Sequence, residues 1–573
     1  NGGLHTTNYY YNSFTPKYYM SEKDKKTKSE LYESNSRTRK WVLEHTLNYN
    51  KKIDKHNISA LVGYTSEQEK YNFFSANGVD FITDDTPVLD QAQSEFKVGG
   101  SKRTNSLQSY LSRFTYNYDN KYYMTGTIRR DGSSRFGSSN RYGNFPSMSA
   151  GWRISKEEFF PFPELINDMK IRGSWGKLGN QEIGNYKFQK TLSKGYPYMY
   201  NGNSEPSYGV ISTSFASEDI KWETTISRNL GVDIQLLDSR IGFTAEYFSN
   251  ETEDMLIYVP IPSTSGGATS FLTNAGGIKN EGFEFNLSYR KSDGDFKYSV
   301  TANLSTTDNE VVSLGGSKEV IEGGKTGYSS ESTTKTMVGS RVADFHLYQA
   351  DGIFQSTAEV QAHSKDGKLI QSNAQAGDVR FKDVNNDGQI DNEDKVYSGS
   401  SLPDFEYGLN FNASYKNFDI SLYFHGVNGN KLFNGVKYRT ETGTGYRNYS
   451  ASTLNAWSET NKNTSVPRLT HNDPNHNNRV STRFLENGSF LRLKNLQIGY
   501  SIPKVTLDRI GISYCRVYAS ANNLFTITDY SGYDPEIGGE KPNRYENPLY
   551  WRGVDNGNYP QSQTFNLGVQ VNF

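Results

Sequence analysis

The sequence predicts an all-β fold, an antiparallel transmembrane β-barrel with short turns at one end and long loops at the other. Three observations carry that expectation. Apolar and polar residues alternate with period two along the whole of the 573 residues, and helical periodicity is nearly absent. The links between alternating runs are short and long in strict succession. The last residues, FNLGVQVNF, keep alternating through Phe565, Leu567, Val569 and Val571 to Phe573.

In chain order the runs fall near 4–12, 38–50, 55–74, 103–118, 121–130, 142–153, 168–177, 226–237, 239–250, 281–291, 296–308, 405–415, 417–427, 488–501, 513–523 and 565–573, about sixteen strands with ends good to about two to four residues. In EGFEFNLSYRK, Phe283, Phe285, Leu287 and Tyr289 share one face, and Glu284, Asn286, Ser288 and Arg290 share the other. Phe405, Tyr407, Leu409, Phe411, Ala413 and Tyr415 repeat the pattern, as do Phe418, Ile420, Leu422 and Phe424. Short links include Asp119 with Asn120, Asp238 with Ser239, Ser292 to Asp295, and Lys416 with Asn417. Long links run over 13–37, 75–102, 178–225, 251–280, 309–404, 428–487 and 524–564. A soluble sandwich or propeller has no reason to segregate its loops this way, whereas an outer-membrane barrel does. With Phe573 as the periplasmic end of a closing strand, the walk backwards puts every short turn in the periplasm and every long loop outside. Strands of this length match the ~9–11 residues that cross the hydrocarbon layer at a tilt.

Composition narrows the classes further. Hydrophobic residues make up 34% and mean hydropathy is −0.75, yet 14% of residues are aromatic, which a disordered chain would lack. No run approaches the ~18 apolar residues of a membrane helix. Sixty-two Lys and Arg against 63 Asp and Glu leave a net charge of −1, so no general nucleic-acid footprint exists. Cys515 is the single cysteine and can form neither an internal disulfide nor a thiolate metal site. No enzyme constellation emerges: the GISYC and GSS segments lack the nucleophile-elbow context, and the Gly-rich stretches follow no phosphate-binding pattern. The expectation is a protein that is not an enzyme.

RRDGSSRFG followed by NRYGNFPSMSAGWRISKEEFF, over 129–160, resembles the SusC/RagA family of TonB-dependent outer-membrane transporters. IRGSWGKLGNQEIGNY (171–186), NAGGIKNEGFEF (274–285), DVNNDGQIDNEDKVYSGSSLPDFEYGLNF (383–411), FLRLKNLQIGYSIP (490–503), RVYASANNLFTITDYSGYDPE (516–536) and YPQSQTFNLGVQVNF (559–573) resemble the family's blocks, in the family's order. The resemblance implies a plugged barrel of about 22 strands. Residues 1–573 are then expected to be the C-terminal barrel portion of a longer chain, supplying about 16–18 strands, with signal peptide, plug and TonB box lying outside it. It also implies import of an oligosaccharide or peptide, a SusD-like surface lipoprotein as lid, energy from TonB-ExbB-ExbD through the N-terminal region, and outer-membrane lipid as surroundings. A surface adhesin or glycan-binding protein, and a surface hydrolase, are the competing classes.

Candidate sites follow. DVNNDGQIDNED places Asp383, Asn385, Asp387, Gln389, Asp391 and Asp394 at positions 1, 3, 5, 7, 9 and 12 of a calcium-type loop, with Gly388 at position 6. Clustered carboxylates there repel one another unless a cation is present, so structural calcium is the expected cofactor; a solvated acidic turn is the alternative. Position 12 is Asp instead of Glu, a shorter arm. Tyr196, Tyr198 and Tyr200 in GYPYMY, and Tyr545, Tyr550, Trp551 and Arg552 in NRYENPLYWRG, offer aromatic faces in external loops for sugar rings or peptide side chains, or for loop self-packing. His471, Asp473 and His476 form a weak metal candidate in a polar loop. Arg129, Arg130, Asp131 and Arg135 read as a polar brace, not a catalytic set, and Phe573 as an assembly signal.

Overall fold

The computed structural model describes residues 1–198, 207–212, 217–260, 270–315, 320–326, 329, 331–441, 448–537 and 548–573. Two compact units emerge. One comprises Asn1–Trp152, Gly173–Arg228 and Thr252–Gly276, the other Arg153–Arg172, Asn229–Glu251 and Gly277–Phe573.

In the first unit the strands Gly2–Thr15, Glu30–Ile53, His56–Phe81, Ala92–Tyr118, Tyr122–Ser133 and Tyr142–Trp152 pair in chain order, each antiparallel to the next. In the second the same meander runs from the end of Ser270–Lys291 through Phe296–Thr306, Phe405–Tyr415, Phe418–Asn428, Phe490–Ser501 and Tyr514–Thr528 to Thr564–Asn572. Three further strands, Ile166–Asn180, Glu223–Leu236 and Ile241–Pro260, complete the set that the alternation marks out.

The tight turns have a local cause. Asp119 and Asn120 adopt φ of 52° and 53°, the left-handed pair that a two-residue hairpin needs and that Asp and Asn tolerate. Asn117 and Asn120 clasp the turn with reciprocal bonds of 2.9 Å. Two links at this end, 153–165 and 502–513, are longer than strict alternation predicts; they hold the 3-10 turn Ile154–Lys156 and the helix Lys504–Leu507.

Register turns alternation into continuous rows. Val300, Phe411, Leu422, Leu496, Ala521 and Phe565 are successive partners across six strands. One residue away, Thr301, Asn410, Tyr423, Asn495, Asn522 and Thr564 form the polar row, in which Asn495 donates to Asn522 at 2.8 Å and Asn522 to Thr564 at 3.0 Å. At the turn end Phe296, Tyr415, Phe418 and Tyr500 make an aromatic girdle, matched in the first unit by Tyr118, Tyr122 and Trp152. The apolar face stays uncovered: Leu409 is 37%, Ile498 49% and Phe418 58% exposed. A soluble chain would aggregate through such a surface, but lipid requires it.

Two expectations are corrected. The strand expected to stop at 308 continues as Asp308–Ser313, pairing back onto Gly277–Glu281, so 309–404 begins in ladder and not in loop. Glu30–Ile53, His56–Phe81 and Ala92–Tyr118 span 24, 26 and 27 residues, well past the membrane, because paired backbone continues where both faces meet water and the alternation fades.

Leu409→Arg should therefore impair assembly by about 2–4 kcal/mol if it lies near the bilayer midplane, while Asn410→Arg on the polar row should matter far less. Heat-modifiable gel migration of the two variants reads the difference.

Candidate functional site

The long loops of the second unit build one body with its own core. Phe345, Leu347, Val379, Phe381, Phe433, Val480, Phe484 and Val554 are buried together, although they come from three separate loops. Short sheets join them: Val320–Gly323, Thr334–Met337, Asp344–Tyr348 and Lys395–Gly399 form one, and Lys431–Asn434 pairs with both Leu485–Asn487 and Val554–Asp555 in another.

Buried polar groups clamp the loops to one another. The Asp378 carboxylate, fully buried, accepts both arms of Arg468 at 2.7 and 3.0 Å, the Asn477 amide at 2.9 Å and the Gln375 backbone N–H at 2.9 Å. Gln371 and Asn475 both donate to the Val379 carbonyl and bond each other at 2.9 Å. Tyr530 donates to Asp555 at 2.6 Å, and burial followed by that carboxylate pushes its phenol up. Arg492 reaches Asp534 at 2.6 Å and Glu536 at 2.7 Å, with Lys494 on the same Glu536. Burial alone would raise the Asp534 carboxyl, but the N–H groups of Gln561 and Glu536 and the Arg492 guanidinium outweigh it and hold it below the usual range.

The acidic turn lies in this body. Asp383 accepts the N–H groups of Asp387 at 3.1 Å and Gly388 at 2.7 Å, Asp387 accepts that of Gln389 at 2.9 Å, and Gly388 takes φ of 93° to close the turn. Asp391 caps the 3-10 turn Asn392–Asp394, and Asp394 accepts N–H bonds from Val384 and Asp391 at 2.7 and 2.8 Å. The ring is thus held by backbone donors, and each accepting oxygen keeps a lone pair. Among the described residues no three His, Cys, Asp or Glu side chains are already gathered at metal-binding separation. Beside the turn lies a cavity of about 430 Å³ lined by Asp351, Glu359, His363, Arg380 and Asp383 among others. Burial, then the Arg380 charge, pulls the His363 imidazole down.

The other candidates separate. Tyr196 and Tyr198 sit on the strand Leu192–Tyr198 of a hairpin with Ser207–Ser212; Tyr200 and Tyr545 lie outside the described residues. Tyr550 packs on the Val311, Leu314, Val342 and Ala343 cluster and its carbonyl accepts from Thr334 at 2.9 Å; burial raises its phenol. Trp551 is 5% exposed, whereas Arg552 is exposed. Asp473 is turned inward to the N–H groups of Asn477 and Asn478, leaving His471 and His476 exposed. Arg129 is bonded to Asp131 at 2.7 Å and to Ser109 at 2.9 Å, Arg130 covers the Tyr142 ring, and Arg135 reaches the Gln181 carbonyl. These are braces. Phe573 follows the last strand and is 94% exposed.

Sequence reasoning missed the clamp of Gln371, Asp378, Arg468, Asn475 and Asn477. The signal was present in HNDPNHNN, where amides are too dense for an ordinary solvated loop.

A family model described as TonB dependent receptor-like, beta-barrel matches residues 1–524. The chain belongs to that family. It is therefore part of an outer-membrane receptor barrel and not an enzyme. TonB-dependent receptor P3 of Formosa agariphila is 33% identical over 534 residues, covering 92% of this chain and 52% of that protein. TonB-dependent receptor SusC of Bacteroides thetaiotaomicron is 31% identical over 482 residues, 82% of this chain and 44% of SusC. The structure of the RagAB peptide transporter superposes on all of this chain and 59% of that one, with a TM-score of 0.82 and 26% identity. The receptor is thus of SusC/RagA type, and the chain spans about half the length of the curated relatives it matches.

Arg492→Leu leaves Asp534 buried without its cation and should cost about 3–5 kcal/mol, read as faster protease cleavage in 529–563 with the barrel still heat-modifiable. Because the folded-state acidity of Asp534 is below the ordinary carboxylate value of about 3.9, its contribution is present above that pH and is lost as pH falls through the lowered value. Protease resistance of these loops should hold from neutral pH down to about 4 and fall below it.

Proposed function

We propose that this chain is the barrel of a TonB-dependent importer that takes up a large nutrient, an oligosaccharide or a peptide. The observation that supports it best is the pairing of a polar-faced strand meander with a folded external loop body, in a chain similar over its full length to the RagAB peptide transporter. The polar rows of Asn and Thr suit the passage of hydroxyl- or amide-rich cargo, which they bond in place of water. The loop body, stiffened by buried ionic clamps, is suited to seating a SusD-like lipoprotein. Energy would come from TonB-ExbB-ExbD. Tyr196, Tyr198, Tyr200, Tyr545 and Arg552 are the cargo contacts to test, and Tyr550 and Trp551 would act by packing within their own loop body.

The test is uptake by cells carrying the full-length receptor, with labelled oligosaccharides and peptides offered in turn. Import of one class, lost when TonB is deleted, supports the reading; surface binding of cargo without TonB-dependent entry supports the adhesin and overturns it.

The turn 383–394 is proposed to hold structural calcium, through side-chain oxygens of Asp383, Asn385, Asp387 and Asp391 and the backbone carbonyl of Gln389, with Asp394 bracing the loop from within. Calcium should slow proteolysis of 351–404 in the purified receptor, and Asp387→Ala should abolish that protection while leaving the barrel intact. Equal cleavage with and without calcium would end the proposal. Deleting Phe573 should reduce membrane insertion, measured as receptor yield in the outer membrane.

A further inference from the structure

The apolar face of the first unit changes character along its strands. From the turn end upward it carries His56, Tyr118 and Tyr122, then Ile58, Tyr116 and Met124, then Leu47, Val62 and Ile128, then Tyr64 and Tyr110. Beyond this band it becomes cationic. Arg39 pairs with Lys70, and in the next row Arg37 pairs with Asn72, which pairs with Lys102. Alternation puts all four on the face of Leu47 and Val62, and all four are exposed.

Among the described residues no acid neutralises them. Among the described residues none of the four forms an ion pair with an acid, and the neighbouring acids Glu67 and Glu69 stand on the opposite, polar face, where Lys40 takes Glu67 at 2.9 Å. Glu33, farther out on the cationic side, is occupied by Tyr10 and Asn12. Like charges directly opposite one another, as Arg39 and Lys70 are, destabilise a sheet unless an anion lies between them. Within the height of the band itself, Phe405–Tyr415 and Phe418–Asn428 carry no Lys or Arg.

Height identifies the anion. Asn72 and Lys102 lie sixteen residues beyond His56 and Tyr118, about 53 Å along the strand and, at a tilt near 40°, about 40 Å along the membrane normal. That clears the apolar band, about 25 Å tall, and enters the head-group layer on the loop side. We propose that Arg37, Arg39, Lys70 and Lys102 bind the phosphate-bearing head group of an outer-leaflet lipid, whose chains lie along the band below. Bidentate contact from the two guanidiniums and point-charge contact from the two lysines suit a phosphate. The proposal depends on membrane location alone and holds whichever cargo is imported.

The test measures phosphate-bearing lipid retained per molecule of full-length receptor, purified from outer membranes in nonionic detergent, by mass spectrometry. Changing all four, R37Q, R39Q, K70Q and K102Q, should lower retention at least about threefold, with heat-modifiable migration unchanged. R37K with R39K should keep most of it, and K40Q on the polar face should keep all of it. If the fourfold variant does not assemble, R37Q with K102Q is read the same way. Wild-type retention in the assembled glutamine variant, an equal loss in K40Q, or complete displacement of the lipid by millimolar inorganic phosphate would overturn the proposal, the last by showing a site for the free ion.

Discussion

Backbone hydrogen bonding without water is the constraint on which the rest depends. In hydrocarbon each unpaired N–H or C=O costs several kcal/mol, so a chain that crosses with strands must pair every one with a neighbouring strand. The ladders of both units meet that demand by joining sequential neighbours antiparallel, which needs only tight turns such as Asp119–Asn120. Once pairing is fixed, the pleat dictates the side chains: one row must suit lipid and the next must suit water. That single alternation explains low hydropathy, high aromatic content and the exposed Leu, Ile and Phe together.

The loop body answers a different problem. Outside the membrane, long connections have no lipid to hold them, and ordering them costs conformational entropy. The hydrophobic cluster around Phe345, Phe433 and Phe484 offsets part of that cost, and the buried clamps at Asp378 and Arg492 fix which loop meets which. A firm external surface is what a receptor requires to recognise a ligand with little ordering cost at binding. Under the proposed function, barrel and body would divide the work between residence in the membrane and recognition.

How much of this was legible followed the physics. The strands that cross lipid were readable because both environments imprint themselves on consecutive residues, as at Phe405 to Tyr415. Outer strand segments such as those of Ala92–Tyr118 were not, since water on both faces leaves no period. The clamp of Asn475, Asn477 and Gln371 joins residues about a hundred positions apart, a distance that no local pattern encodes. The acidic turn was readable as a turn because Gly388 and its alternate oxygens act locally, while the inward bonding of Asp394 to Val384 and Asp391 depends on its burial in the folded loop. Trp551 shows the converse: a ring assigned to ligand by its loop position is buried.

Spin-label accessibility reads the phase of the alternation residue by residue. Single labels at consecutive positions from 405 to 415, in a receptor with Cys515 replaced by Ser and reconstituted in lipid, would be relaxed by oxygen from the bilayer or by a water-soluble nickel chelate. The account predicts oxygen accessibility at 407, 409, 411 and 413 and chelate accessibility at 408, 410 and 412, with period two throughout. A reversed phase, or uniform access to the chelate at every position, would contradict it.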